Sequence, residues 1–210
     1  AGALVAFSQG VAYFHAGQEI LRSKSLDGNS YDSGDAFNVL DWSYRHNGFG
    51  TAVPELNGTA NANTFSVSLL QNQQLQPTTQ DIAWTRDAFR DVLKIRQSTE
   101  LLRLKSAQAI QDRLTFLNTE AQADPRLIVG HVNGRGLKDY AALIYFVNVA
   151  PEAKHFSTSA LAHQAFELHP VLADAKAADQ RIRHEARYYA STGGFDIPAR
   201  SAVVFIVKGG

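Results

Sequence analysis

The chain has 210 residues, and its 20 Lys and Arg balance 20 Asp and Glu for a formal net charge of zero. That balance excludes a basic nucleic-acid footprint and an acidic tail, and an apolar fraction of 45% excludes wholesale disorder. Cys and Met are both absent; the first excludes disulfides, thiolate metal sites and a Cys nucleophile, and the second reads as a chain processed or cut from a longer one.

Residues 1–16 are the most apolar stretch, but Ser8, Gln9, Gly10 and His15 interrupt them. The stretch is shorter than the roughly 20 residues of a membrane span and lacks a basic leader region. Residues 1–8 read as the end of a helix stopped by Gly10. Residues 11–15 (VAYFH) read as a strand covered on both faces, as in a parallel sheet. From Gly17 to about Thr78 no period is visible. Gly, Asn, Ser and Asp dominate, with Pro54 and Pro77, and loops of this length are usually functional. Tyr31, Phe37, Trp42, Tyr44 and Phe49 predict that this one is ordered.

Thr78 followed by Asp81 predicts a helix start. Ile82, Phe89, Leu93 and Arg96 follow at helical spacing, and Lys94 and Arg96 suit the far end of the dipole, so the helix should end near Gln97 or Ser98. A short helix is predicted over 107–112. Beyond residue 113 the pattern turns to β. Strands are predicted at 114–117, 126–132, 141–149, 165–168, 187–190 and 201–208, with turns at Asn133-Gly134, Gly136 and Gly193-Gly194. Several short strands with turn signals predict an antiparallel sandwich. The domains are therefore read as 1–112 and 113–210.

Glu19, Arg22 and Lys24 follow the first predicted strand, where α/β folds present loops to ligands. Pairing with each other or with nearby backbone is the alternative. Tyr31, Asp32, Ser33, Asp35 and Asn38 mix carboxylates, a hydroxyl, an amide and an aromatic face, the set that recognises sugars. The same residue types build Asx and Ser turns. Asp32 and Asp35 could form a carboxylate pair for glycoside cleavage, but loop spacing fixes no distance between them. No zinc spacing, G-x-S-x-G elbow, P-loop or G-x-G-x-x-G occurs, so no metal or cofactor is assigned. His163 and His169 read as surface residues. Residues 181–187 (RIRHEAR) read as a solvated element, given the zero net charge.

Residues 9–25 (QGVAYFHAGQEILRSKS) and 29–47 (NSYDSGDAFNVLDWSYRHN) together resemble the pullulanase-type branch of glycoside hydrolase family 13, the α-1,6-glucan debranching hydrolases. The likeness continues through the helix at 81–98, TFLN at 115–118 and FDIPARSAVVFIV at 195–207. It implies an α+β chain: the last βα unit of a (β/α)8 barrel followed by an antiparallel β-sandwich. Residues 11–15 would be the eighth barrel strand and 81–98 the eighth helix. The nucleophile, the acid and the third carboxylate would all lie upstream of Ala1, so the chain would hold no catalytic residue.

The resemblance further implies that Tyr31, Asp32, Ser33, Asp35 and Asn38 contact the glucan, while Glu19, Arg22 and Lys24 support the loop. The usual pattern has Trp where this chain has Ala36, which removes one aromatic contact. The implied parent hydrolyses α-1,6 linkages of pullulan, starch or glycogen with retention, uses no cofactor, and has the rest of its barrel as a partner. An extracellular or cell-surface bacterial location is favoured. Alternatives are a non-catalytic carbohydrate-binding or structural module, and a related isoamylase or branching enzyme. Since a whole barrel takes about 250 residues, residues 1–105 are expected to pack on the sandwich, pair between copies or fray.

Overall fold

The β-branched and aromatic runs beyond residue 113 pair into two antiparallel sheets in the computed structural model, which describes residues 1–54, 66–121 and 123–209. In chain order the described strands are β1 (Leu114–Phe116), β2 (Leu127–Asn133), β3 (Tyr140–Asn148), β4 (Lys154–Ser157), β5 (Glu167–Leu168), β6 (Arg187–Tyr189), β7 (Gly194–Ile197) and β8 (Ser201–Lys208). The larger sheet runs β1-β2-β3-β8-β5 and the smaller β4-β7-β6. The register places Phe146 beside Val203 and Ile144 beside Phe205. Alternate residues then face the smaller sheet. Phe195 of β7 sits at the middle of this core, its ring 5.0 Å from Phe146, 5.3 Å from Phe205, 5.5 Å from Phe166 and 4.8 Å from Tyr188.

The opposite face of the larger sheet is also used. Tyr145 lies across from Gly130, and a Cβ on Gly130 would collide with the Tyr145 ring. The ring of Phe7, on helix α1 (Gly2–Phe7), stands 5.8 Å from Tyr145. The remaining described helices with full bounds are α2 (Asp35–Asn38), α3 (Thr79–Gln97), α4 (Ala107–Arg113), α5 (Pro170–Ala173) and α6 (Gln180–Glu185). The start of α3 is set as the sequence predicts. Thr78 Oγ1 accepts from the Asp81 amide at 3.1 Å, and Asp81 Oδ2 accepts from the Thr78 amide at 2.8 Å, a reciprocal cap that satisfies otherwise orphaned donors.

Two compact units emerge, one of Ala1–Tyr13 with Ala88–Gly210 and one of Phe14–Asp87. This division crosses the chain inside α3 rather than at 112/113. Residues 1–13 belong with the sheets because polar clamps hold them. Arg96 Nη1 donates to the carbonyls of Ala6 at 2.6 Å and Ser8 at 2.8 Å, and Nη2 to Gly10 at 2.9 Å. Gln9 Nε2 donates to Leu101 O at 2.7 Å, and its Oε1 accepts from the Leu104 amide at 3.0 Å.

Residues 11–15 depart from expectation. They form no strand, and Val11 and Tyr13 are 81% and 84% exposed. A parallel strand needs neighbours on both sides for its N–H and C=O groups, and no described strand lies beside this one. Strands β4 and β7 are additions: KHFS and GFDI carry too little β-branched character to stand out. His169 also corrects the surface reading. It is buried, its Nδ1 accepts from the Val171 amide at 3.2 Å to cap α5, and its Nε2 lies 3.0 Å from Ser98 Oγ. Residues 181–187 fit the solvated reading, with Ile182 and Ala186 buried and the charged side chains outward.

Candidate functional site: the loop-rich unit Phe14–Asp87

Gly17 turns the chain with φ of 90°, and Glu19 Oε2 accepts from the Gly17 amide at 3.1 Å. A side chain at position 17 would collide with Leu40 and Arg22. The chain then passes through three non-Gly residues of positive φ, Leu21 at 57°, Ser25 at 48° and Leu26 at 64°. Such conformations persist only where surrounding bonds enforce them, and here they do. Ser25, fully buried, donates from Oγ to Gly48 O at 2.7 Å. The Ser23 amide donates to Asn47 O at 2.6 Å, and Asn47 Nδ2 to Leu21 O at 2.8 Å.

Asn38 braces the next segment. Its Nδ2 donates to Ser30 O at 2.7 Å and Ser33 O at 2.6 Å, and its Oδ1 accepts from Ser30 Oγ at 3.1 Å. Arg22 donates from Nη2 to the Asn38 carbonyl, and Lys24 Nζ donates to Ser30 Oγ at 2.5 Å. Ser33 Oγ donates to Asp27 Oδ2 at 2.5 Å, which with the Asn29 amide holds the Asp27 carboxyl below the usual carboxylate range. Arg86 stacks over Tyr44 with its guanidinium carbon 5.0 Å from the ring centre, while its Nε and Nη2 grip Asp87 at 2.9 Å each.

The eight residues marked by the sequence therefore divide into two groups. Glu19, Arg22, Lys24, Ser33 and Asn38 are engaged with one another or with nearby backbone. Tyr31, at 94% exposure, and the exposed Asp32 and Asp35 face water from the turn that this scaffold fixes. The pattern reading missed Ser25, Ser30 and Asn47, whose bonds span 8 to 26 residues. Their only sequence signal was membership of a polar run. Among the described residues no cluster of three His, Asp or Glu could hold a metal ion, and no helix is long and apolar enough to cross a membrane.

The chain combines two antiparallel sheets with a loop-rich segment that exposes Tyr31, Asp32 and Asp35. Residues 44–208 match the family described as alpha-1,6-glucosidases, pullulanase-type, C-terminal, and the chain belongs to that family. Chloroplastic pullulanase 1 of Arabidopsis thaliana is 37% identical over 98% of this chain and 22% of its own length. A pullulanase of Klebsiella pneumoniae is 29% identical over 72% of this chain and 14% of its own length. The crystal structure of PulA from Klebsiella oxytoca superposes with a TM-score of 0.82 at 25% identity, covering 99% of this chain and 20% of that one. The maltotriose complex of PulA from Klebsiella pneumoniae gives a TM-score of 0.82 at 24% identity, covering 99% of this chain and 22% of that one. The chain thus spans less than a quarter of the length of each of these relatives.

Proposed function

We propose that the chain is the C-terminal part of an enzyme that hydrolyses α-1,6-glucosidic linkages in pullulan, starch or glycogen with retention, and that it lacks the catalytic carboxylates. The observation that carries this reading is the match of residues 44–208 to the pullulanase-type C-terminal family, together with the near-complete alignment of the chain with 22% of a pullulanase. Retaining cleavage needs one carboxyl to protonate the leaving oxygen and a second to attack the anomeric carbon. Among the described residues no two carboxyls are buried together, and in this reading both come from upstream strands of the same parent. The unit Phe14–Asp87 supplies the loop beyond the eighth barrel strand. Tyr31, Asp32 and Asp35 contact the glucan there, and Ser33 and Asn38 hold them in place with Glu19, Arg22 and Lys24.

The purified 210-residue chain is expected to release no reducing sugar from pullulan, and measurable turnover would overturn the reading. In the full-length parent, Tyr31→Ala or Asp32→Ala raises KM for pullulan severalfold. An unchanged KM would remove these residues from the cleft. The exposure of Tyr31 also admits a non-catalytic glucan-binding module, which retardation of the isolated chain on a pullulan affinity gel would favour.

A further inference from the structure

A cavity of about 460 Å³ opens between the free edges of β1 and β4, in the unit that holds the sandwich. Its size falls within the roughly 300–1,000 Å³ of small-molecule pockets. One wall is Phe116, Asn118 and Glu120, from the end of β1 and the segment after it. The other is His155, Ser157 and Thr158 on and after β4. Phe116 is 51% exposed, so its ring presents an open apolar surface. Asn118 is fixed by donating from Nδ2 to Asp124 O at 2.9 Å and Leu127 O at 2.6 Å. Its Oδ1 is thereby held in a set direction as an acceptor.

His155 is fixed as well. Its Nδ1 lies 2.7 Å from Asp196 Oδ1, and Tyr189 Oη donates to Asp196 Oδ2 at 2.6 Å. The carboxylate accepts a hydrogen bond from Nδ1–H, which leaves Nε2 as the ring's other hydrogen-bonding atom. Among the described residues the Glu120 carboxylate and the Ser157 hydroxyl have no hydrogen-bond partner.

We infer that this cavity is a second saccharide-binding site, one that takes a short α-glucan segment with a pyranose face on Phe116 and its hydroxyls on Glu120, Asn118, His155 and Ser157. The choice of α-glucan among saccharides rests on the proposed function. The chemistry of the walls points to a neutral polyol in any case. Hydroxyls donate to a carboxylate, whereas an anionic ligand would be repelled by Glu120, and a wholly apolar ligand would strand these polar groups. Strand addition by a peptide is the rival occupant. It is disfavoured because β1 offers three residues and β4 four, which leaves little edge to extend.

The test is a titration of the full chain with maltotriose, followed by amide chemical shifts. Saturable shifts at residues 116–120 and 155–158 are expected, with affinity there at least about 10-fold weaker in Phe116→Ala. Glu120→Gln, a change at an exposed side chain that leaves the strands intact, should weaken binding as well. Tyr31→Ala should leave these shifts unaltered, which separates this site from the loop of Phe14–Asp87. Absence of saturable shifts there at about 10 mM sugar overturns the inference. So do shifts that persist unchanged in both Phe116→Ala and Glu120→Gln, or an extended peptide perturbing the same residues where maltotriose does not. Parent activity on pullulan would survive each of these failures, because the proposed function does not depend on this cavity.

Discussion

His169 is a buried titratable group of the sheet-bearing unit. Burial lowers its pKa from 6.5 to about 4, since an imidazolium would lie out of water beside Ser98 and the Tyr140 ring. Between those values the unfolded chain binds a proton that the folded chain refuses, so stability rises with pH across this window. The contribution is complete above 6.5 and is lost as pH falls toward 4, for a total of about 3 kcal/mol. Burial lowers the His131 pKa too, which acts in the same sense. Urea unfolding at pH 7 and at pH 4.5 should show the loss, and His169→Gln should flatten the slope. Position 169 was illegible in the sequence because a cap at the start of a four-residue helix, bonded to a side chain 71 residues away, leaves no periodic trace. Asn38 was expected to contact the glucan; in the fold its side chain braces Ser30 and Ser33, and composition does not separate a sugar contact from an Asx brace. Asn38→Ala should speed amide exchange at Ser30 and Ser33 by at least about tenfold, a loss of about 1–2 kcal/mol for the severed bonds.

At the level of elements, legibility followed the number of apolar positions per segment. SAVVFIVK was read with its observed bounds, since β8 lies between β3 and β5 and is buried along most of its length. Residues 11–15 look equally strand-like, but pairing is a property of neighbours, and apolar character alone does not provide them. The β2–β3 pair shows a constraint that only packing reveals. Gly130→Ala places a methyl against the Tyr145 ring and should destabilise by about 1–3 kcal/mol. In a Tyr145→Ala background the same change should be nearly silent, a coupling that a double-mutant cycle reads directly. Arg96 was expected only to complement the dipole of α3. Its planar fork instead ties the three carbonyls that end α1 and form the turn after it. A Lys cannot reproduce that geometry, so Arg96→Lys should cost about 2 kcal/mol and expose the amides of residues 2–10 to exchange.

The two compact units differ in what holds them. In the sheet-bearing unit Phe146, Phe195, Val203 and Ile206 are fully buried, packed on one or the other face of the larger sheet. Among the described residues of Phe14–Asp87 the buried apolar side chains are Ile20, Leu70 and Ile82, with Pro54. Leu26, Val39, Trp42 and Val53 are exposed there. That unit is therefore ordered chiefly by side chain–backbone hydrogen bonds, each worth only about 1 kcal/mol net, and opens at lower free energy than a region with an apolar core. Native-state amide exchange of the isolated chain should show strong protection over β2, β3 and β8. Protection should also extend over residues 2–10, where Arg96 and Gln9 hold the segment, rather than the fraying that an unpaired barrel remnant would give. Residues 14–54 should exchange far faster, and limited proteolysis should cut there first. If the chain is the end of a debranching enzyme, the upstream barrel covers the exposed apolar side chains of this unit. The same amides should then slow by at least about a hundredfold in the full-length parent, since burying even two such side chains adds about 3 kcal/mol. Equal exchange of residues 14–54 in the isolated chain and in the parent would show that no barrel surface rests on them.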